Sequence, residues 1–217
     1  MLYIDPHIHC ISRITDDYAA QFQHGVRVVI EPSFWLGQPR TSAGTFRDYF
    51  LMIMEWEHQR AKDKGIHHRC LIALNPKEAN DERVKDPVLE MMPEFLDHPN
   101  VLGVGEVGYD AITPAEEDAM IRQIQMAIER NMPVMVHTPH RDKARGTAAA
   151  NEARRPVLEV VPGVDGRDLA IGLVAQSNAC ALLHATKEAH INEERELTRS
   201  KGDGKGGEQR AERALAE

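Results

Sequence analysis

The chain has 217 residues, enough for one domain with a sizeable core, and its 42% hydrophobic and 28% charged content is ordinary for a globular protein. A formal net charge of -8 and a pI near 5.8 exclude a general attraction to nucleic acid or anionic membrane and leave room only for a local basic patch. Three widely spaced cysteines, Cys10, Cys70 and Cys180, give no disulfide framework. No apolar run reaches the roughly 18 residues of a membrane span, and no basic region followed by an apolar stretch opens the chain. A cytoplasmic protein is expected.

Residues 2–5 (LYID) read as a short strand stopped by Pro6. Residues 14–24 read as a helix with Thr15 or Asp16 as N-cap and Gly25 past its end. The β-branched run at 26–31 (VRVVIE) predicts a buried strand. After a turn-rich loop, residues 45–63 carry a loose helical pattern through Phe46, Tyr49, Phe50, Ile53, Met54 and Trp56. Residues 69–74 (RCLIAL) predict a third strand, 87–97 a helix, and 101–106 (VLGVGE) a fourth strand. Thr113-Pro114-Ala115-Glu116 is a capping box with proline at the first helical position. Met120, Ile121, Ile124, Ala127 and Ile128 then form one stripe, and 133–137 (PVMVH) predict a fifth strand. Strands alternating with helices predict a parallel sheet with helical crossovers.

Near residue 147 the pattern is lost. Residues 1–147 read as a β/α barrel portion and 148–187 as a poorly patterned continuation. Residues 188–217 read as a charged tail expected to be disordered. One apolar stretch, 169–183, fits a helix or one to two strands. A full barrel of eight units takes about 250 residues, so the barrel is expected to be incomplete after its fifth β/α unit. The break suggests that the encoding DNA read in another frame would continue the barrel, and that this chain is a truncated or frameshifted product.

The chemistry concentrates at strand ends. His7 and His9 are two apart, so in extended chain they face one side and aim two imidazoles at one point, a donor pair suited to a transition metal. Chance also gives such pairs in a chain with 11 histidines. Asp5 shares that face, as an outer partner or a strand-end carboxylate. Glu106 ends the fourth strand between Gly105 and Gly108, where a carboxylate can bridge two cations or simply form a salt bridge. His137 ends the fifth strand, and a core histidine is the bland alternative. In a parallel barrel the C-terminal strand ends carry the active site, and all these candidates fall there. Weaker candidates are His140 in the following loop, His184 in ALLHAT, Asp110 as a histidine orienter or turn residue, and Glu31, which either approaches the metals or pairs with Arg40. Trp35 reads as packing over the barrel mouth rather than stacking on substrate. No basic stripe with interleaved aromatics marks a nucleic-acid-binding module.

Asp5-Pro6-His7-Ile8-His9, Gly105-Glu106-Val107-Gly108-Tyr109-Asp110, and a helix running into Pro133-Val134-Met135-Val136-His137 together resemble the motifs of TatD-type metal-dependent hydrolases, over roughly residues 1–147. The resemblance implies a TIM-like β/α barrel and hydrolysis with one or two divalent cations: zinc, manganese or magnesium. By it, His7 and His9 bind one metal, Glu106 bridges and is catalytic, and His137 binds the second. The substrate would be a small molecule or a nucleic-acid fragment, through a phosphoester or related bond, or an amide, lactone or ester. Asn75 stands where the family often has a histidine, and no aspartate follows a convincing last strand.

Overall fold

The computed structural model describes residues 2–139 and 141–153, and the backbone alone of Ile171–Val174. Six strands form one parallel sheet in sequential order: β1 (Tyr3–Asp5), β2 (Val26–Pro32), β3 (His67–Ile72), β4 (Val101–Gly108), β5 (Val134–His137) and β6 (Ile171–Val174). The helices between them are α1 (Thr15–Gln23), α2 (Ala43–Leu51), α3 (Glu57–Lys62), α4 (Glu82–Met91), α5 (Pro93–Leu96), α6 (Pro114–Glu129) and α7 (Lys143–Ala153). Sequential order with a helical crossover at each step is the winding of a β/α barrel, here a curled half-barrel among the described residues. The curl is visible beyond β2, where the Ser33 amide lies 2.9 Å from both the Leu71 and the Gly105 carbonyls and so reaches past β3 to β4.

The period of two along the strands sorts the core. Cys70, Ile72, Val134 and Val136 join the large cluster under the helices with Phe50, Leu89, Met120 and Ile124. Their neighbours Leu71 and Met135 join Ile30 in a separate small cluster on the other face. Near β1, Ile8 and Val29 pack with Tyr18, Ala61 and Ile66.

The predicted capping box forms: Thr113 Oγ1 accepts the Glu116 amide at 3.2 Å and the Glu116 carboxylate accepts the Thr113 amide at 3.2 Å. Glu116 is buried and also accepts the Ala111 amide and Asn80 Nδ2, which folds the 109–113 loop back onto the end of β4. On the same helix, buried Gln123 accepts the Leu74 amide at 2.8 Å and fixes the chain leaving β3.

Several boundaries differ from expectation. The N-cap of α1 is Ile14, in extended conformation with no side-chain bond; Asp16 and Asp17 sit inside the first turn, where the helix dipole favours them. Gly25 follows the helix with φ +95° as expected. The helix expected over 45–63 starts at Ala43, capped by Ser42 paired with Thr45, and carries a π-helical stretch at Met52–Trp56. The wider turn rotates the apolar stripe, so Ile53 and Met54 stay buried while Trp56 is 63% exposed. The helix expected over 87–97 starts at Glu82, capped by Asp81, and Pro87 lies inside it. Within the ambiguous stretch 169–183, Ile171–Val174 is a strand beside β5. The expected tail 188–217 and all but 148–153 and 171–174 of the expected continuation lie outside the described residues. No described helix is long and apolar enough to cross a membrane.

Candidate metal centre

Each named side chain stands at a strand's C-terminal end. β1 stops at Asp5, whose carboxylate accepts the His7 amide at 3.2 Å, so Asp5 is a strand-end group. A 3-10 turn at Cys10–Ser12 follows His9. On β4 the register with β5 shifts between Gly105 and Val107, leaving Glu106 at an irregularity that re-aims its side chain. His137 is the last residue of β5 and the register partner of Gly108. Gly108 has φ +127°, and a Cβ there would stand 2.3 Å from the His137 carbonyl oxygen, so glycine allows the two strand ends to meet.

The structure brings four of the sequence candidates together. His7 Nε2 donates to Glu106 Oε1 at 2.8 Å, and His9 Nε2 lies 4.0 Å from the same oxygen. The two Nε2 atoms are 3.3 Å apart. These three donor atoms lie within 4.8 Å of one another, close enough to share one cation. His137 stands on the other side, its Nδ1 3.6 Å from Glu106 Oε2. One carboxylate oxygen thus faces the His7/His9 pair and the other faces His137.

The local electrostatics suit a cation. Burial pushes His9 down to about 4; Glu106 raises it in part and His7 lowers it further, so the imidazole is neutral at pH 7. Burial pushes Glu106 up, but the His7 hydrogen bond and the facing imidazoles of His7, His9 and His137 outweigh it, and the carboxyl ends below its ordinary range. A neutral imidazole beside an ionised carboxylate is the deprotonated donor set that a divalent ion requires. His9 Nδ1 is buried with no hydrogen-bond partner among the described residues, while its Nε2 faces Glu106. That leaves Nε2 as the outward donor. Two imidazoles and a carboxylate, with a third imidazole opposite, are a nitrogen-rich donor set that suits a transition metal better than magnesium, which prefers oxygen.

Other candidates are placed elsewhere. Glu31 is fully buried; its Oε1 accepts the Ile11 amide at 2.8 Å and its Oε2 pairs with His68 Nε2 at 2.8 Å. It therefore neither joins the donor cluster nor pairs with Arg40, whose guanidinium bonds Glu78 instead at 2.8 Å. The Asp110 carboxylate faces Lys77 Nζ at 3.9 Å rather than a histidine among the described residues. Asn75 is buried and accepts the Lys77 amide at 3.0 Å, a turn-forming role. Trp35 is half-buried on the rim with the Lys77 ammonium 4.1 Å over its ring. It lines a groove of about 710 Å³ with Pro39, Arg40 and Asn80. His140 and His184 lie outside the described residues.

Phe34 escaped the sequence reading. Its ring stacks on His9 at 4.0 Å and 21°. The signal available was the aromatic Phe34-Trp35 pair just past the second strand, which has no pairing partner in sequence to reveal its target.

The sequence profile of the family described as TatD related DNase matches residues 4–161. An uncharacterized metal-dependent hydrolase of Methanocaldococcus jannaschii is 24% identical over 168 residues, 76% of this chain; the chain spans 62% of that relative's length. The crystal structure of a TatD-like protein of Archaeoglobus fulgidus superposes with a TM-score of 0.64 at 21% identity, covering 81% of this chain and 78% of the other. That likeness is one of fold, and it matches the winding of the half-barrel. With the profile spanning β1 through α7, this chain belongs to the TatD related DNase family.

Proposed function

We propose that this chain is a metal-dependent hydrolase in which His7, His9 and Glu106 hold one divalent cation and Glu106 and His137 a second, acting on a phosphoester bond. The observation that carries this reading is the division of labour at Glu106, with Oε1 toward His7 and His9 and Oε2 toward His137. A cation bound there supplies Lewis acidity and lowers the pKa of a coordinated water.

The remaining work falls to the chain's own groups. Glu106, almost wholly buried, keeps its charge because the three imidazoles surround it. His9 stays neutral, so its Nε2 lone pair is available rather than protonated. Gly108 lets β5 close on β4 and sets the distance between Glu106 and His137. The family description and the name of the archaeal relative agree with a hydrolase, and the former favours phosphodiesters.

The test is hydrolysis by the purified full chain loaded with zinc or manganese. A phosphodiester, a phosphomonoester, a lactone and an amide are assayed side by side. Metal-dependent cleavage of the phosphodiester, lost in His9→Ala, is the expected result. Cleavage of only the lactone or amide corrects the substrate class. Tight metal binding with no turnover on any substrate makes this a metal-binding chain without the proposed activity.

A further inference from the structure

The segment from Ile30 to Phe34 touches the loop that carries His7 and His9 at three points. The Ile8 amide donates to the Ile30 carbonyl at 3.1 Å. Two residues past His9, the Ile11 amide donates to Glu31 Oε1 at 2.8 Å. The Phe34 ring lies 4.0 Å from the His9 ring, at 21° to it. His9 is thus held through its backbone on one side and by its ring face on the other.

Both holds are themselves anchored. Glu31 is 0% exposed, and its second oxygen is fixed at 2.8 Å to His68 Nε2, itself 0% exposed. The Phe34 amide donates to the Tyr49 hydroxyl at 2.7 Å, and its carbonyl accepts from Arg40 Nη2 at 2.9 Å. Arg40 stacks over Tyr49 at 3.7 Å and grips buried Glu78 with a nitrogen that reaches both carboxylate oxygens. A rigid frame on α2 and on the loop after β3 therefore ends at one imidazole. A ligand held in its productive orientation loses less freedom when the ion arrives, and outer partners of this kind shift metal affinity about 10- to 100-fold.

We infer that Glu31 and Phe34 are positioning residues for His9, fixing its imidazole so that Nε2 faces Glu106 before any cation binds. The inference rests on the reading of His7, His9 and Glu106 as a metal centre.

Cobalt(II) titration of the full chain tests it, read by a competing chelator and by the visible absorption of the bound ion. Phe34→Leu keeps apolar bulk and removes the aromatic face. It is expected to weaken cobalt binding about 10-fold and to alter the visible spectrum, with Phe34→Tyr restoring both. Glu31→Ala is expected to do the same and Glu31→Gln, which keeps an acceptor for Ile11, to recover part of the loss. Because Glu31 is deep in the core, the Phe34 pair decides if Glu31→Ala does not fold. Trp56→Ala, on the outer helix face, should leave binding as in the parent. Parental affinity and spectrum in Phe34→Leu overturn the inference while the centre stands, provided His9→Ala loses cobalt. A parent that binds no cobalt, or binds it equally well in His9→Ala, overturns the metal centre and the inference with it.

Discussion

Glu106→Gln is expected to lower divalent-cation affinity by more than about 100-fold while leaving the fold intact, a larger loss than the 10- to 100-fold typical of outer partners. Glu106 is the only charged member of the three-donor cluster, and both of its oxygens face imidazoles. Replacing it with an amide leaves two imidazoles on one side and one on the other, with no anion between them. Glutamine keeps the shape, so the fold should survive, but the imidazoles that hold the Glu106 carboxyl below its ordinary range lose an ionised partner, and the metal-free protein should lose some stability. Thermal unfolding separates the two effects. Without metal, the variant should melt somewhat below the parent. With metal at about 100 times the parental Kd, the parent should gain about 2.7 kcal/mol and the variant almost nothing. Equal metal-induced shifts in the two proteins would remove Glu106 from the centre.

The largest expected stability loss is at Gly108→Ala. A methyl there would stand 2.3 Å from the His137 carbonyl oxygen and 3.2 Å from the His137 backbone nitrogen and carbon. Main chain cannot swing aside as a flexible side chain can, so the end of β5 must move. The φ of +127° adds conformational strain for any residue with a Cβ. Strain and overpacking together predict a loss of about 3 kcal/mol or more in urea unfolding. Gly37→Ala is the comparison: φ is +93° but nothing lies within 4 Å of the added atom, so only the strain of about 1 kcal/mol applies. Similar losses at both positions would mean that the close approach of β4 and β5 contributes nothing. Since His137 moves with the strand end, Gly108→Ala should also weaken metal binding where Gly37→Ala does not.

The strands and the candidate donor residues were legible for the same reason. Val26–Pro32, His67–Ile72 and Val101–Gly108 contain apolar runs buried on both faces. His7, His9, Glu106 and His137 therefore announced themselves as polar residues at the ends of apolar strands, and a parallel sheet gathers such ends along one edge. Helix starts were harder. Ser42 pairs with Thr45 rather than with an acidic residue, so the cap of α2 lacks the usual spelling. The helix expected from residue 87 begins five residues earlier, at Glu82, because Asp81 caps it and Val84 is a core residue.

What could not be read was contact across strands. Glu31 is in register with Cys70, which leaves His68 two residues back along β3 and within reach of the same carboxylate. Nothing in the composition of either strand specifies that register, so pairing Glu31 with Arg40 was equally reasonable from the sequence. The stacking of Phe34 on His9 depends on a loop path set by Arg40, Glu78 and Tyr49, three residues brought together only by the fold.

Anomalous diffraction from crystals of the full chain grown with manganese or zinc asks the decisive question. The account predicts a strong peak about 2.0–2.3 Å from His7 Nε2, His9 Nε2 and Glu106 Oε1, and a second near Glu106 Oε2 and His137. Ordered protein with no peak between those side chains, or with its peaks only at surface carboxylates, would contradict it.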